Sequence, residues 1–136
     1  MNSIENTLAL IKDEFSIFLD PRDKYVYLVD LAKDMKGLTE DKRTEENRIH
    51  GCTSQAWVIK EFSGQNYTFT TDSDAMIVKG LLSFIERSFN GHSKEEIINI
   101  DGGLFLESIG LGGAISSQRT NGFSDAIHKI QNELLD

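Results

Sequence analysis

Apolar residues recur at spacings of three and four near the start of the chain. Ile4, Leu8, Ile11, Phe15 and Phe18 share one face, which predicts an amphipathic helix. A second predicted helix opens on Asp20 as N-cap, with Pro21 at the first helical position, where a missing N–H costs nothing. Tyr25, Leu28, Ala32 and Met35 form its buried face, and Gly37 is expected as its C-cap. Residues 38–47, "LTEDKRTEEN", carry no period and are expected to form a solvated loop. The pattern then changes: "AWVIKEF" and "NYTFT" are short, aromatic and β-branched, and Ser63-Gly64-Gln65 between them predicts a β-hairpin. From Asp74 the period is helical again, with Ile77, Leu81, Ile85 and Phe89 on one stripe and Asn90-Gly91 at the end. Thr71 to Asp74 has capping-box spacing at its start, and Ser93 to Glu96 repeats that spacing for a short helix carrying Ile97 and Ile98. "GGLFLESIGLGGAI" predicts another short helix between glycine-rich turns, and the last helix carries Phe123, Ile127, Ile130 and Leu134. Helices dominate. The expected class is α+β, with a small antiparallel sheet (the hairpin plus a short strand) packed against several helices.

Composition changes this picture little. The 136 residues suit a single domain, 1–136, with 39% hydrophobic and 26% charged positions. A chain of that size buries roughly two thirds of its unfolded surface and needs no metal or disulfide to stay folded. No apolar run is long enough to span a membrane, and the N-terminus lacks the features of a signal peptide. One cysteine cannot form an internal disulfide, so a reducing compartment, the cytoplasm, is the expected home. The sequon Asn66-Tyr67-Thr68 is then a chance match. A net charge of −8 disfavours nucleic acid and anionic membrane surfaces as partners and leaves room for a protein with a basic face.

The single thiol, Cys52, admits two readings. Free cysteine is among the most buried residue types and often acts as a small hydrophobe. Against that, Gly51 marks a bend or a close approach to the backbone. If residues 48–52 are extended, Arg48, His50 and Cys52 project from one face. A nearby cation that moved the thiol pKa from about 8.5 to about 7 would raise the thiolate fraction roughly tenfold. His50 with Cys52 is too few ligands for zinc, and His92 and His128 are distant in sequence on predicted helices. Two residues apart on a strand, His50 and Cys52 also make a poor Cys–His nucleophile pair. The run "GLGG" at 110–113 lacks either phosphate-loop fingerprint and is better read as a chain reversal. Arg119 in "SSQRTNG" precedes the last predicted helix and reads as a surface arginine. Trp57 reads as a core anchor of the hairpin, and Asp72 and Asp74 as carboxylates favoured by a helix start.

Taken together, "RIHGCTSQAWVI", then "DSDAMIVKGLL", then "SSQRTNG" before a terminal helix resemble the SufE family, including its CsdE branch, from about Pro21 to about Ile130. The resemblance implies a sulfur acceptor that docks on a pyridoxal-phosphate-dependent, SufS- or CsdA-like cysteine desulfurase and stimulates its turnover. It is a transfer partner rather than an enzyme, with no cofactor of its own and a fold like that of the IscU scaffold. By position Cys52 is the persulfide acceptor. Gly51, His50, Ser54, Gln55 and Trp57 shape its loop and hairpin, Asp74 and Lys79 lie on the adjacent helix, and Arg119 stands near the partner-facing side. The sulfur then passes to an iron–sulfur cluster scaffold or another acceptor. The family usually has Thr-Pro-Ser-Arg where this chain has "SSQR", and the missing proline is expected to leave the approach to the last helix less rigid. Two other readings are an iron–sulfur scaffold, against which a single cysteine argues, and a cysteine-dependent hydrolase, which lacks a well-placed base.

Overall fold

The computed structural model describes residues 3–51, 54–111 and 115–135. Among the described residues the fold comprises six α-helices and one antiparallel hairpin: α1 (Ile4–Phe15), α2 (Pro21–Lys33), β1 (Ala56–Ser63), β2 (Asn66–Ser73), α3 (Met76–Phe89), α4 (Lys94–Ile98), α5 (Phe105–Ser108) and α6 (Ser117–Leu135). The α+β class holds, and the hairpin pairs Ala56 with Ser73 through to Ser63 with Asn66. In place of the expected extra strand, the described residues show two isolated bridges, Arg48 with Trp57 and Tyr67 with His92.

Several helix ends follow their sequence signals. Asp20 caps α2 by accepting the Arg22 N–H at 2.9 Å, with Pro21 in the first turn. Ser93 and Glu96 form the full capping box of α4. Other ends do not. α1 stops at Phe15, with Phe18 packed against the core from the following turn. α2 ends on Asp34 as C-cap, and Gly37 (φ +70°) serves a later turn. The N-cap of α3 is Ala75, without a side-chain cap, because β2 runs on to Ser73. Thr71 therefore lies in the strand and gives its N–H and hydroxyl to Glu86.

α3 is the central element and touches α1, α2, β2 and α6. Val78, Leu81, Leu82, Phe84, Ile85 and Phe89 are all buried, so its apolar surface wraps more than one face. Aromatic edges link the layers: Phe69 of β2 meets Phe89, Phe89 meets Phe105 of α5, and Phe105 meets Phe123 of α6. Arg87 of α3 pairs with Glu14 of α1, which also accepts the Tyr27 hydroxyl of α2 at 2.7 Å. α2 crosses α3 at Gly80, where an added Cβ would lie 2.2 Å from the Leu28 carbonyl oxygen.

That contact leaves no room for a methyl group. Gly80→Ala is expected to force α2 and α3 apart at a cost of about 1–3 kcal/mol, despite alanine's better helix propensity. Urea unfolding followed by circular dichroism checks this; an unchanged midpoint would mean the helices separate freely.

Candidate functional site

The chain around Cys52 is anchored on both sides. Ile49 N–H donates to the Ala56 carbonyl at 2.8 Å and Val58 N–H to that of Asn47 at 2.9 Å, so residues 47–49 lie along the outer edge of β1. These bonds tie the described residues ahead of His50 to the start of β1. The extended run expected over 48–52 stops early: His50 and Gly51 form a turn. Gly51 has φ +93°, and a Cβ there would lie 1.9 Å from the Asp125 Oδ2 of α6. The positive φ favours glycine at this turn, and any Cβ there would also displace the exposed Asp125 side chain. On the other flank, Gln55 N–H donates to Asp74 Oδ1 at 3.1 Å, and the Gln55 carbonyl accepts the Asp74 N–H at 3.1 Å and the Ser73 hydroxyl at 2.7 Å. Ser54 is half-buried. Cys52 and Thr53, between these flanks in sequence, lie outside the described residues.

Near the end of the hairpin is a buried carboxylate. Asp72 sits on β2, directly opposite Trp57, and is 1% exposed; it is a strand residue, not the helix-start carboxylate its sequence suggested. Its oxygens accept the N–H groups of Leu38 (2.8 Å) and Ser73 (2.8 Å) and two N–H groups of Arg43 (2.7 and 3.2 Å). Lys79 of α3 stands 3.6 Å away as an ion pair. Burial alone would push this carboxyl up, but the bonds from Leu38, Arg43 and Ser73 outweigh it and hold the group below the usual aspartate range. Arg43 also lies over the Trp57 ring, 5.3 Å from its centroid. The segment expected to be a solvated loop thus has a buried Leu38, a turn of 3-10 helix over Glu40–Lys42 and an arginine bound to the hairpin. Gly37 is explained as well, because a Cβ there would come within 2.7 Å of Asp72 Oδ2. Nearby Glu86 is pushed the other way: desolvation raises its carboxyl above the usual range, partly offset by Thr71.

The remaining expected residues are spread around this cluster. Arg48 and His50 both face one carboxylate, Glu45, at 3.8 and 3.4 Å, so they do not form a free cationic stripe. Trp57 is buried, in agreement with its reading as an anchor, and Lys79 is committed to Asp72. Arg119 is inside the first turn of α6 rather than before the helix. Its N–H donates to the Ser116 hydroxyl at 3.3 Å, which caps the start of the helix. With Gln118, Gly122 and Phe123 it lines a small apolar cavity against Val78, Leu81 and Leu82 of α3. His92 is in the turn after α3, bridged to Tyr67, not on a helix. Among the described residues, no three His, Cys, Asp or Glu side chains converge to hold a metal, and no helix is long and apolar enough to cross a membrane. Sequence reasoning missed Arg43, Glu86 and Asp125 and misplaced Asp72. A glycine at 37 followed by a leucine in a polar stretch was the one signal that the segment turns back onto the core.

Fold and site together define an α+β protein in which the described residues flanking Cys52 are held by the hairpin and by Asp74. The solution structure of a hypothetical protein from Thermus thermophilus has the same fold, with a TM-score of 0.74 at 19% identity over 97% of this chain and 93% of that one. An uncharacterized SufE-like protein of Rhizobium etli is 37% identical over 131 residues, covering 93% of this chain and 88% of the relative. One from Rhizobium meliloti is 36% identical, covering 93% and 94%. The model of the SufE family, described as an Fe-S metabolism associated domain, matches residues 9–134. The chain belongs to the SufE family, and its role lies in iron–sulfur metabolism.

The two carboxyls titrate in opposite senses. The contribution of Asp72, whose folded pKa is lowered, is present above its unfolded value of about 3.9 and lost as pH falls through the folded value. Asp72→Asn is expected to cost about 1.5–3 kcal/mol at neutral pH, with the deficit shrinking in acid below about pH 4. Glu86, whose folded pKa is raised, penalises folding as pH rises above its unfolded value of about 4.3. Glu86→Gln is therefore expected to be stabilising at neutral pH and no longer so in acid. Chemical unfolding of both variants across this pH range checks the signs; parallel pH curves for parent and variants would refute them.

Proposed function

We propose that the protein accepts sulfur on Cys52 from the persulfide of a cysteine desulfurase, stimulates that enzyme, and passes the sulfur on for iron–sulfur cluster assembly. What carries this reading is membership of the SufE family over a match that includes the chain's only cysteine. The anchored flanks support it. A thiol that meets a partner's persulfide benefits from a loop set on rigid elements, because the two sulfurs must align.

The chemistry needs one thiol and no redox reagent. The Cys52 thiolate attacks the outer sulfur of the donor persulfide, the S–S bond of the donor breaks, and the donor cysteine leaves as a thiolate. Cys52 then holds the persulfide, and the oxidation level of the pair is unchanged. A second nearby cysteine would attack that persulfide, form a disulfide and release the sulfur. Gly51, His50, Ser54, Gln55 and Trp57 are the residues of this reading that shape the loop. Asp74, which lies in the bend between β2 and α3 rather than on the helix as expected, and Lys79 on α3 support it, and Arg119 on α6 contributes to the surface the desulfurase meets.

Intact-protein mass spectrometry after incubation with a cysteine desulfurase and L-cysteine tests the proposal. The expected result is a gain of one sulfur atom, reversed by reductant and absent in Cys52→Ser, which folds normally and no longer stimulates the desulfurase. Absence of the gain with an active desulfurase, or its persistence in Cys52→Ser, would overturn it. Gly51→Ala is expected to fold with lower stability and to slow sulfur loading at least several-fold, since the left-handed turn disfavours a Cβ and Asp125 would have to swing away from it.

A further inference from the structure

We propose that Asp72 and Arg43 are positioning residues for the Cys52 loop, fixing both of its stems and so restraining the thiol. This rests on the reading of Cys52 as the reactive group and adds two side chains that lie outside the loop. Asp72 and Trp57 are direct partners in the hairpin, so their side chains leave the same face of the sheet at the pair next to the loop mouth. Arg43 reaches that face from a third segment of chain, binds Asp72 Oδ2 through Nε and Nη2, and covers the Trp57 ring. Trp57 is in turn bridged to Arg48 on the incoming stem. The two residues after Asp72, Ser73 and Asp74, hold Gln55 on the outgoing stem through three hydrogen bonds.

One buried charge thus ties together Leu38, Arg43, Lys79 and the two ends of the loop. Loss of Arg43 would free the Trp57 face and remove the main cation from the carboxylate, while Leu38, Ser73 and Lys79 still hold Asp72 in place. The loop stems would open more often with the rest of the fold intact, because local opening draws on local contacts.

The test is the rate at which iodoacetamide modifies Cys52, the only thiol, at neutral pH and well below the unfolding temperature of every variant. Arg43→Gln and Asp72→Asn are expected to raise the rate about five-fold or more. Arg43→Lys, which keeps the charge but not the planar fork, is expected to fall between them and the parent. Gly80→Ala is the control: it loosens α2 against α3 away from the loop and is expected to leave the rate within roughly two-fold of the parent. A rate for Arg43→Gln equal to or below the parent's, or one no greater than that of Gly80→Ala, would overturn the proposal. If Asp72→Asn does not fold, the arginine pair decides alone. No desulfurase is present in this assay, so its failure is separate from a failure of sulfur loading.

Discussion

A carboxylate with 1% of its surface exposed has to be compensated, and in this protein much of the site's architecture follows from how Asp72 is compensated. An unpaired charge in that position would cost several kcal/mol or drive the group to protonate. Two backbone N–H groups and an arginine answer it directly, with a lysine as a further ion pair. To supply the Leu38 N–H, the chain after α2 must double back onto the hairpin. To do that without collision it needs glycine at 37. To supply Arg43, the polar stretch that follows must stay close to the sheet, and there it meets the face of Trp57. The charge therefore does more than contribute stability. It selects one path for residues 37–43 and one orientation for the end of the hairpin.

Behind that end the helices are tied to one another and to β2. α3 is held by α2 at the Gly80 crossing, by β2 through the aromatic contact of Phe69 with Phe89, and by α1 through Arg87 and Glu14. Lys79 and Glu86 point from this fixed helix toward β2, where Asp72 and Thr71 receive them. The described flanks of Cys52 meet two further parts of the fold: Gly51 lies close to Asp125 of α6, and Gln55 is held by Ser73 and Asp74.

What could be read from sequence follows the range of the forces involved. The helices were legible because burial on one face imposes a local period, as in α3 and α6, and because caps such as Asp20-Pro21 act within one turn. The hairpin was legible from its β-branched strands and Gly64. Gly51 could be marked as a bend or a close approach, and the structure supplies Asp125 as the approaching group. Asp72 could not be read. Its partners lie 34 and 29 residues away, and no local rule distinguishes a carboxylate that caps a helix from one that a distant arginine will cover. The capping-box spacing from Thr71 misled for the same reason: the threonine found Glu86, fifteen residues on, and the strand continued through the expected helix start. His50 was placed by extending a strand two residues too far, past the point where Gly51 turns the chain.

These departures bear on how the proposed chemistry is controlled. A cationic stripe beside the thiol would have made its reactivity a matter of permanently lowered pKa. In the structure Arg48 and His50 are both engaged by Glu45, and the strong positive charge near the hairpin, Arg43, is spent on Asp72. Sulfur transfer between two cysteines exchanges one thiolate for another, so there is little driving force for a resident cation to supply. Such a cation would also raise the thiolate fraction toward every electrophile in solution, with or without a partner. Control through geometry avoids that problem. In the proposed reading, stems held by a buried charge would make reactivity a matter of how the thiol is presented, which a docking desulfurase would change without altering the thiol's intrinsic acidity.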